Sequence, residues 1–115
     1  MPTVYVTQET NHDFSSAEGF GDVVFLTHQD FINIRHSAHN EGLLSDLSFK
    51  LKKYDPEQDY IVTAGSPSVI AAVFLLLGAR AMRSIRILRW DNRDRKYIPL
   101  FIELRRETDA KEVQQ

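Results

Sequence analysis

Gly65-Ser66-Pro67-Ser68 is the segment of this chain best suited to chemistry. Gly65 lets backbone approach a ligand, and Ser66 and Ser68 offer hydroxyls. The N–H groups that open the following helix carry a positive partial charge. Together these features make an anion site for a phosphate or carboxylate. The same residues also make a plain cap, with Ser66 as N-cap and Pro67 at the first helical position, where no N–H is needed. No Gly-x-x-x-x-Gly-Lys run is present, so the segment is not a P-loop. Thr27, His28 and Asp30 join the candidate site because they follow a strand whose exit should share its sheet edge. His28 oriented by Asp30 has the composition of a general base.

The histidines are His12, His28, His36 and His39. On a helix His36 and His39 would share a face, and zinc accepts such His/Asp sets. That spacing is loose and encloses no Glu, so they are read as exposed side chains of a polar connector. No metal and no cofactor is assigned. Gly19-Phe20-Gly21 looks like part of a dinucleotide fingerprint, but it precedes a strand, and the mechanism needs it to follow one and open a helix. No serine stands in a nucleophile context. With no cysteine in the chain, thiol catalysis, disulfides, Cys-ligated zinc and Fe–S clusters are excluded. No catalytic residue is assigned.

Arg80, Arg83, Arg86, Arg89, Arg93, Arg95, Arg105 and Arg106 crowd the C-terminal third. Arg86, Arg89, Arg93 and Arg95 with Trp90 and Tyr97 compose a basic, aromatic hairpin of the kind that can stack single-stranded nucleic acid. Strand parity sets Arg86 and Trp90 with Leu88, and Arg89 with Ile85 and Ile87, so the arginines do not share one face. Charge on an edge hairpin also serves solubility alone. Across the chain 14 Lys+Arg face 16 Asp+Glu, a net charge of −2. No global basic field therefore gathers nucleic acid or anionic membrane.

A sheet and two helices must position these groups. At 115 residues, 43% hydrophobic and 26% charged, the chain is one globular domain. Residues 1–104 form it, and the polar tail 105–115 is expected to fray. Met1 to Glu9 lacks the basic and apolar regions of a secretory signal, which makes the cytoplasm the default. The longest apolar run, Val69 to Gly78, falls short of the about 20 residues a bilayer span needs. Strands are expected at Thr3–Thr7, Asp22–Thr27, Asp59–Ala64, Ser84–Trp90 and Lys96–Leu104. The continuous apolar run Val23–Leu26 points to burial on both faces. Phe31–Ile34 reads as a short strand or the start of a helix. Leu43, Leu44, Leu47, Leu51 and Tyr54 recur at helical spacing over Glu41–Tyr54, and Asp55-Pro56 stops that helix. A second helix, Pro67 to about Arg80, is apolar nearly all round, which implies burial on more than one side. Asp91–Arg95 joins the last two strands as an antiparallel hairpin, and Pro99 sends the final strand to a sheet edge or a bulge. The expected fold is a small, Rossmann-like, three-layer α/β sheet with a parallel core and a C-terminal antiparallel hairpin. A two-layer sheet with both helices on one face is the alternative. In the favoured arrangement Asp22–Thr27 and Asp59–Ala64 lie side by side and parallel.

Gly65 to Leu104 resembles small proteins encoded by tailed bacteriophages. Their pattern is an apolar helix followed by a Leu-x-Trp-Asp-x-x-x-x-x-Tyr-x-Pro hairpin, matched here by Leu88, Trp90, Asp91, Tyr97 and Pro99. The resemblance implies a phage accessory protein working in the host cytoplasm and carries no activity with it. In physical terms Trp90 and Tyr97 would be cross-strand neighbours that hold hairpin register, and Asp91 would start the turn. Three functions remain open. The first is a non-enzymatic binding or assembly module, a homo-oligomer acting through the hairpin and the second helix on a host or viral protein. The second is a nucleotide- or phosphate-binding protein, or an enzyme, using Gly65–Ser68. The third, which the charge balance disfavours, is single-stranded nucleic-acid binding by the hairpin.

Overall fold

A computed structural model describes residues 1–105. Its strands are β1 (Thr3–Val6), β2 (Asp22–Phe25), β3 (Tyr60–Val62), β4 (Ser84–Asp91) and β5 (Lys96–Glu103), in the spatial order β2-β1-β3-β4-β5. β1 pairs in parallel with β2 and β3, β3 in parallel with β4, and β4 antiparallel with β5. The chain is thus an α/β protein with a parallel core and a C-terminal antiparallel hairpin, as its sequence indicates. One expected pairing is corrected. β2 and β3 run the same way, but each pairs with β1 and not with the other. Thr3–Val6 lies between them because it is buried on both faces, Tyr5 on one and Val4 and Val6 on the other.

The helices α1 (Ala38–Lys50) and α2 (Pro67–Ala79) lie on one face of the sheet. Leu43, Leu47 and Leu51 from the first and Ala72, Val73 and Leu77 from the second close over Tyr5, Leu26 and Ile61. The opposite face presents Val4, Val6, Val62, Leu88 and Tyr97, and Phe14, Ala17 and Phe20 cover it. These belong to the β1–β2 connection, which winds a 3-10 turn at Ser15–Gly19. The third layer is therefore a loop rather than a helix. Right-handed crossovers account for this. The chain steps from β2 to β3 to β4 in one direction along the sheet, which puts both helices on the same side. From β1 to β2 it steps the other way, which puts that connection on the far side.

Local chemistry sets the element ends. Ser37 caps α1 by accepting the His39 and Asn40 N–H groups, so the helix begins before Glu41. Phe31–Ile34 is irregular, neither strand nor helix. The Asn40 side chain holds it by accepting from Ile32 N–H and donating to its carbonyl. β2 is an edge strand, and Val24 is exposed, so the run Val23–Leu26 is not buried on both faces. Leu26 is buried by α1 beyond the strand's end. Asp59 is a buried carboxylate that accepts from Thr3 N–H at 2.9 Å and Asp55 N–H at 2.9 Å, pinning the starts of β1 and β3 together.

Ser66 and Pro67 start α2 as cap and first residue. Its outer side is open rather than buried: Leu75 is 72% exposed. The helix ends in a Schellman arrangement, with Met82 N–H on Leu77 O and Ala81 N–H on Gly78 O. Ala81 holds the left-handed position, φ 62°, usually given to glycine. Ala81→Gly is therefore expected to stabilise the protein by about 0.5–1 kcal/mol, read as a higher midpoint in a calorimetric melt. Among the described residues no helix is long and apolar enough to cross a membrane. The frayed-tail expectation for 105–115 lies, from Arg106 on, outside the described residues.

Candidate functional site

The exits of β2, β1 and β3 lie side by side, and the chain reverses direction across them, which is where open α/β sheets bind ligands. Here side chains just beyond the end of β1 fill that crevice. Gln8 accepts the Ser66 N–H at 2.6 Å and donates to the Gln29 carbonyl at 2.7 Å, so it spans all three exits. Gly65 makes this possible: it holds φ 88°, and a Cβ there would fall on the Gln8 side chain. Ser66 accepts the Ser68 N–H at 3.2 Å, which is its capping role. The structure thus places Gly65 and Ser66 against Gln8, a residue of the β1 exit that was not assigned to the site from sequence. Thr7 acts alongside, its buried hydroxyl donating to the Ala64 carbonyl at 2.6 Å and accepting the Ala64 N–H at 2.8 Å. Thr7→Val keeps the shape and strands both Ala64 groups. It is expected to cost about 2 kcal/mol, measured as a fall in urea midpoint at unchanged slope.

Thr27 is buried at the β2 exit; its hydroxyl accepts the Gln29 N–H at 3.0 Å and its carbonyl the Glu9 N–H at 2.8 Å. His28 and Asp30 are exposed. The Asp30 carboxylate accepts its neighbour's Phe31 N–H at 2.7 Å. A histidine does reach this turn, but it is His39, whose Nε2 lies 2.8 Å from the Asp30 carbonyl oxygen. His36 sits apart in a left-handed backbone conformation at φ 58°. Among the described residues no three His, Asp or Glu side chains are grouped to hold a metal ion.

One strand further on, the sheet splits. The β3–β4 ladder consists of Ile61↔Ile87, whereas β4 continues along β5 to Asp91↔Lys96. Between the parting strands lies a cleft of about 430 Å³, bordered by Thr10, His12 and Phe14 from the long loop, Thr63 to Gly65 beyond β3, and Leu88 to Trp90 of β4, with Tyr97. Edge-to-face aromatic contacts run along one wall. Phe14–His12 centroids are 4.9 Å apart, His12–Trp90 5.4 Å and Trp90–Tyr97 5.0 Å. Burial, and then the nearby Asp13 carboxylate, pushes the Tyr97 phenol up from its ordinary value. Asp13 itself is lowered, by the Ser15 N–H that it accepts. Thr10, His12 and Thr63 were not candidates from sequence. The available signal was the length of the polar loop holding the first two, since such loops are commonly functional.

The hairpin residues divide. Trp90 and Tyr97 are cross-strand partners, and Asp91 starts the turn by accepting the Arg93 N–H. Arg86 turns into the sheet surface, donating to Glu57 O at 2.6 Å and Tyr60 Oη at 2.8 Å, with its guanidinium 4.4 Å from the Tyr60 ring centre and 5.1 Å from that of Phe101. Arg89, Arg93 and Arg95 are exposed, the last two at the hairpin tip. Pro99 lies in β5, which is the sheet edge. Leu100, Phe101, Ile102 and Leu104 are exposed there by 38%, 64%, 42% and 62%. Ile102 and Leu104 also border a groove of about 250 Å³ with Phe74, Leu77 and Met82.

These features define a small mixed-sheet α/β protein with a cleft between diverging strands and an open apolar edge. The family model described as Phage Pam3 gp32-like protein matches residues 2–104, and the chain belongs to that family. The phage resemblance of Gly65–Leu104 therefore extends over nearly the whole chain. No curated protein and no solved structure matches it.

Proposed function

We propose that the protein is a non-enzymatic assembly module of a phage, working in the host cytoplasm, that pairs with a second copy of itself through β5. The observation that carries this reading is the open apolar edge. β5 is eight residues long, and from Tyr97 to Ile102 it has no charged side chain. Soluble proteins ordinarily protect such an edge with charge or proline, because its free N–H and C=O groups template further pairing; here Pro99 removes one donor and no charge guards the rest. Among the described residues no strand covers it. The edge is also self-complementary. An antiparallel register centred on Leu100 sets Ile98 against Ile102 of the second copy, the isologous contact of a twofold dimer. The groove beside Ile102 and Leu104, with Phe74 and Met82, extends the apolar surface toward α2.

Sedimentation velocity over a concentration series tests this. The wild type should reach twice 13.3 kDa. Leu100→Lys would set two ammonium groups face to face across the twofold axis and should weaken the dimer about a hundredfold with circular dichroism unchanged. A wild-type monomer at every concentration would remove the proposal.

A further inference from the structure

We propose that the cleft where β3 and β4 part binds a free nucleoside or mononucleotide, its base against the aromatic wall of His12, Trp90 and Tyr97. The volume of about 430 Å³ suits one such molecule. Every nucleobase has a π-face that stacks on aromatic side chains, and three rings border this cleft within about a single ring's width of one another. A second observation concerns the base edge. Beyond Ile87, the side of β4 that faces β3 has no strand partner among the described residues, though β4 runs on to Asp91. Its backbone N–H and C=O groups alternate, as donors and acceptors do along a nucleobase edge. No Asp or Glu lines the cleft and Arg89 does, while the Asp13 carboxylate lies near Tyr97. Gln8 meanwhile occupies the neighbouring crevice, leaving the ligand position displaced by one strand. The net charge of −2 favours a single nucleotide over a polyanionic strand.

Trp90 is the sole tryptophan, so its fluorescence reports on this cleft alone. Titrating the full chain with AMP, GMP, CMP, UMP and their nucleosides should give saturable quenching by at least one of them. The same ligand should raise the melting midpoint. His12 is exposed, so His12→Ala should leave circular dichroism unchanged while raising the Kd about tenfold. Three results would overturn the proposal: no quenching by any of these compounds, equal affinity in the His12→Ala variant, or quenching by an oligodeoxythymidine with none by a mononucleotide. The last would assign the cleft to nucleic acid.

Discussion

Gly65→Ala is expected to lower the thermal midpoint by about 10–15 °C, corresponding to about 3–4 kcal/mol in a chain of this size. Two independent costs add. At φ 88° a side chain is strained whatever surrounds it, by about 1–2 kcal/mol. The new Cβ would also fall on the Gln8 amide and lie 2.6 Å from the Gln8 Cβ, so Gln8 must leave. Its departure breaks the bonds to Ser66 N–H and Gln29 O, for about 1–3 kcal/mol more. Gln8→Ala alone should cost about the second part only, and the double variant should fall short of the sum because the two residues share that contact. A fall of only about 4–7 °C, the share of the strained φ alone, would mean that Gln8 does not clamp the strand exits.

Leu47→Ala should cost about 3 kcal/mol and lower the midpoint by about 10 °C. Leu47 is fully buried at the centre of the cluster where α1 meets the sheet, packed with Leu43, Leu51, Tyr5 and Ile61. Removing its isobutyl group leaves a cavity that α1 cannot collapse into while Leu43 and Leu51 hold it from either side. Phe49, two residues on, is the internal comparison. It is 75% exposed, and Phe49→Ala should change stability by less than about 0.5 kcal/mol. Chemical denaturation of the two variants side by side checks both values. A large loss at Phe49 would instead show that this ring is covered in solution.

The two helices were legible because their signals are local. Leucines at helical spacing mark α1, and Ser66-Pro67 marks the start of α2 as a cap and a first-turn residue. The hairpin was legible for the same reason: Asp91 bonds its own turn, and Trp90 meets Tyr97 across it. The candidate anion site was legible only as a cap. That Gln8 would take the Ser66 N–H could not be read, since the two residues are 58 positions apart and meet only because β1 and β3 pair. Arg86 shows the same limit. As one of many arginines it suggested a nucleic-acid surface, whereas in the fold it bonds Glu57 and Tyr60, nearly 30 residues away in sequence.

The amino-acid order by itself determined the α/β class, the hairpin, the start of α2 and the placement of Pro99 in an edge strand, since each follows from periodicity, capping or a missing N–H within a few residues. Only the tertiary structure decided that β1 separates β2 from β3, that Gln8 closes the crevice between strand exits, and that the sheet opens instead between β3 and β4. Those outcomes depend on which distant strands pair and where a ladder stops. Pairing energy comes from side chains packed across neighbouring strands, a sum over the whole core that no short window of sequence contains.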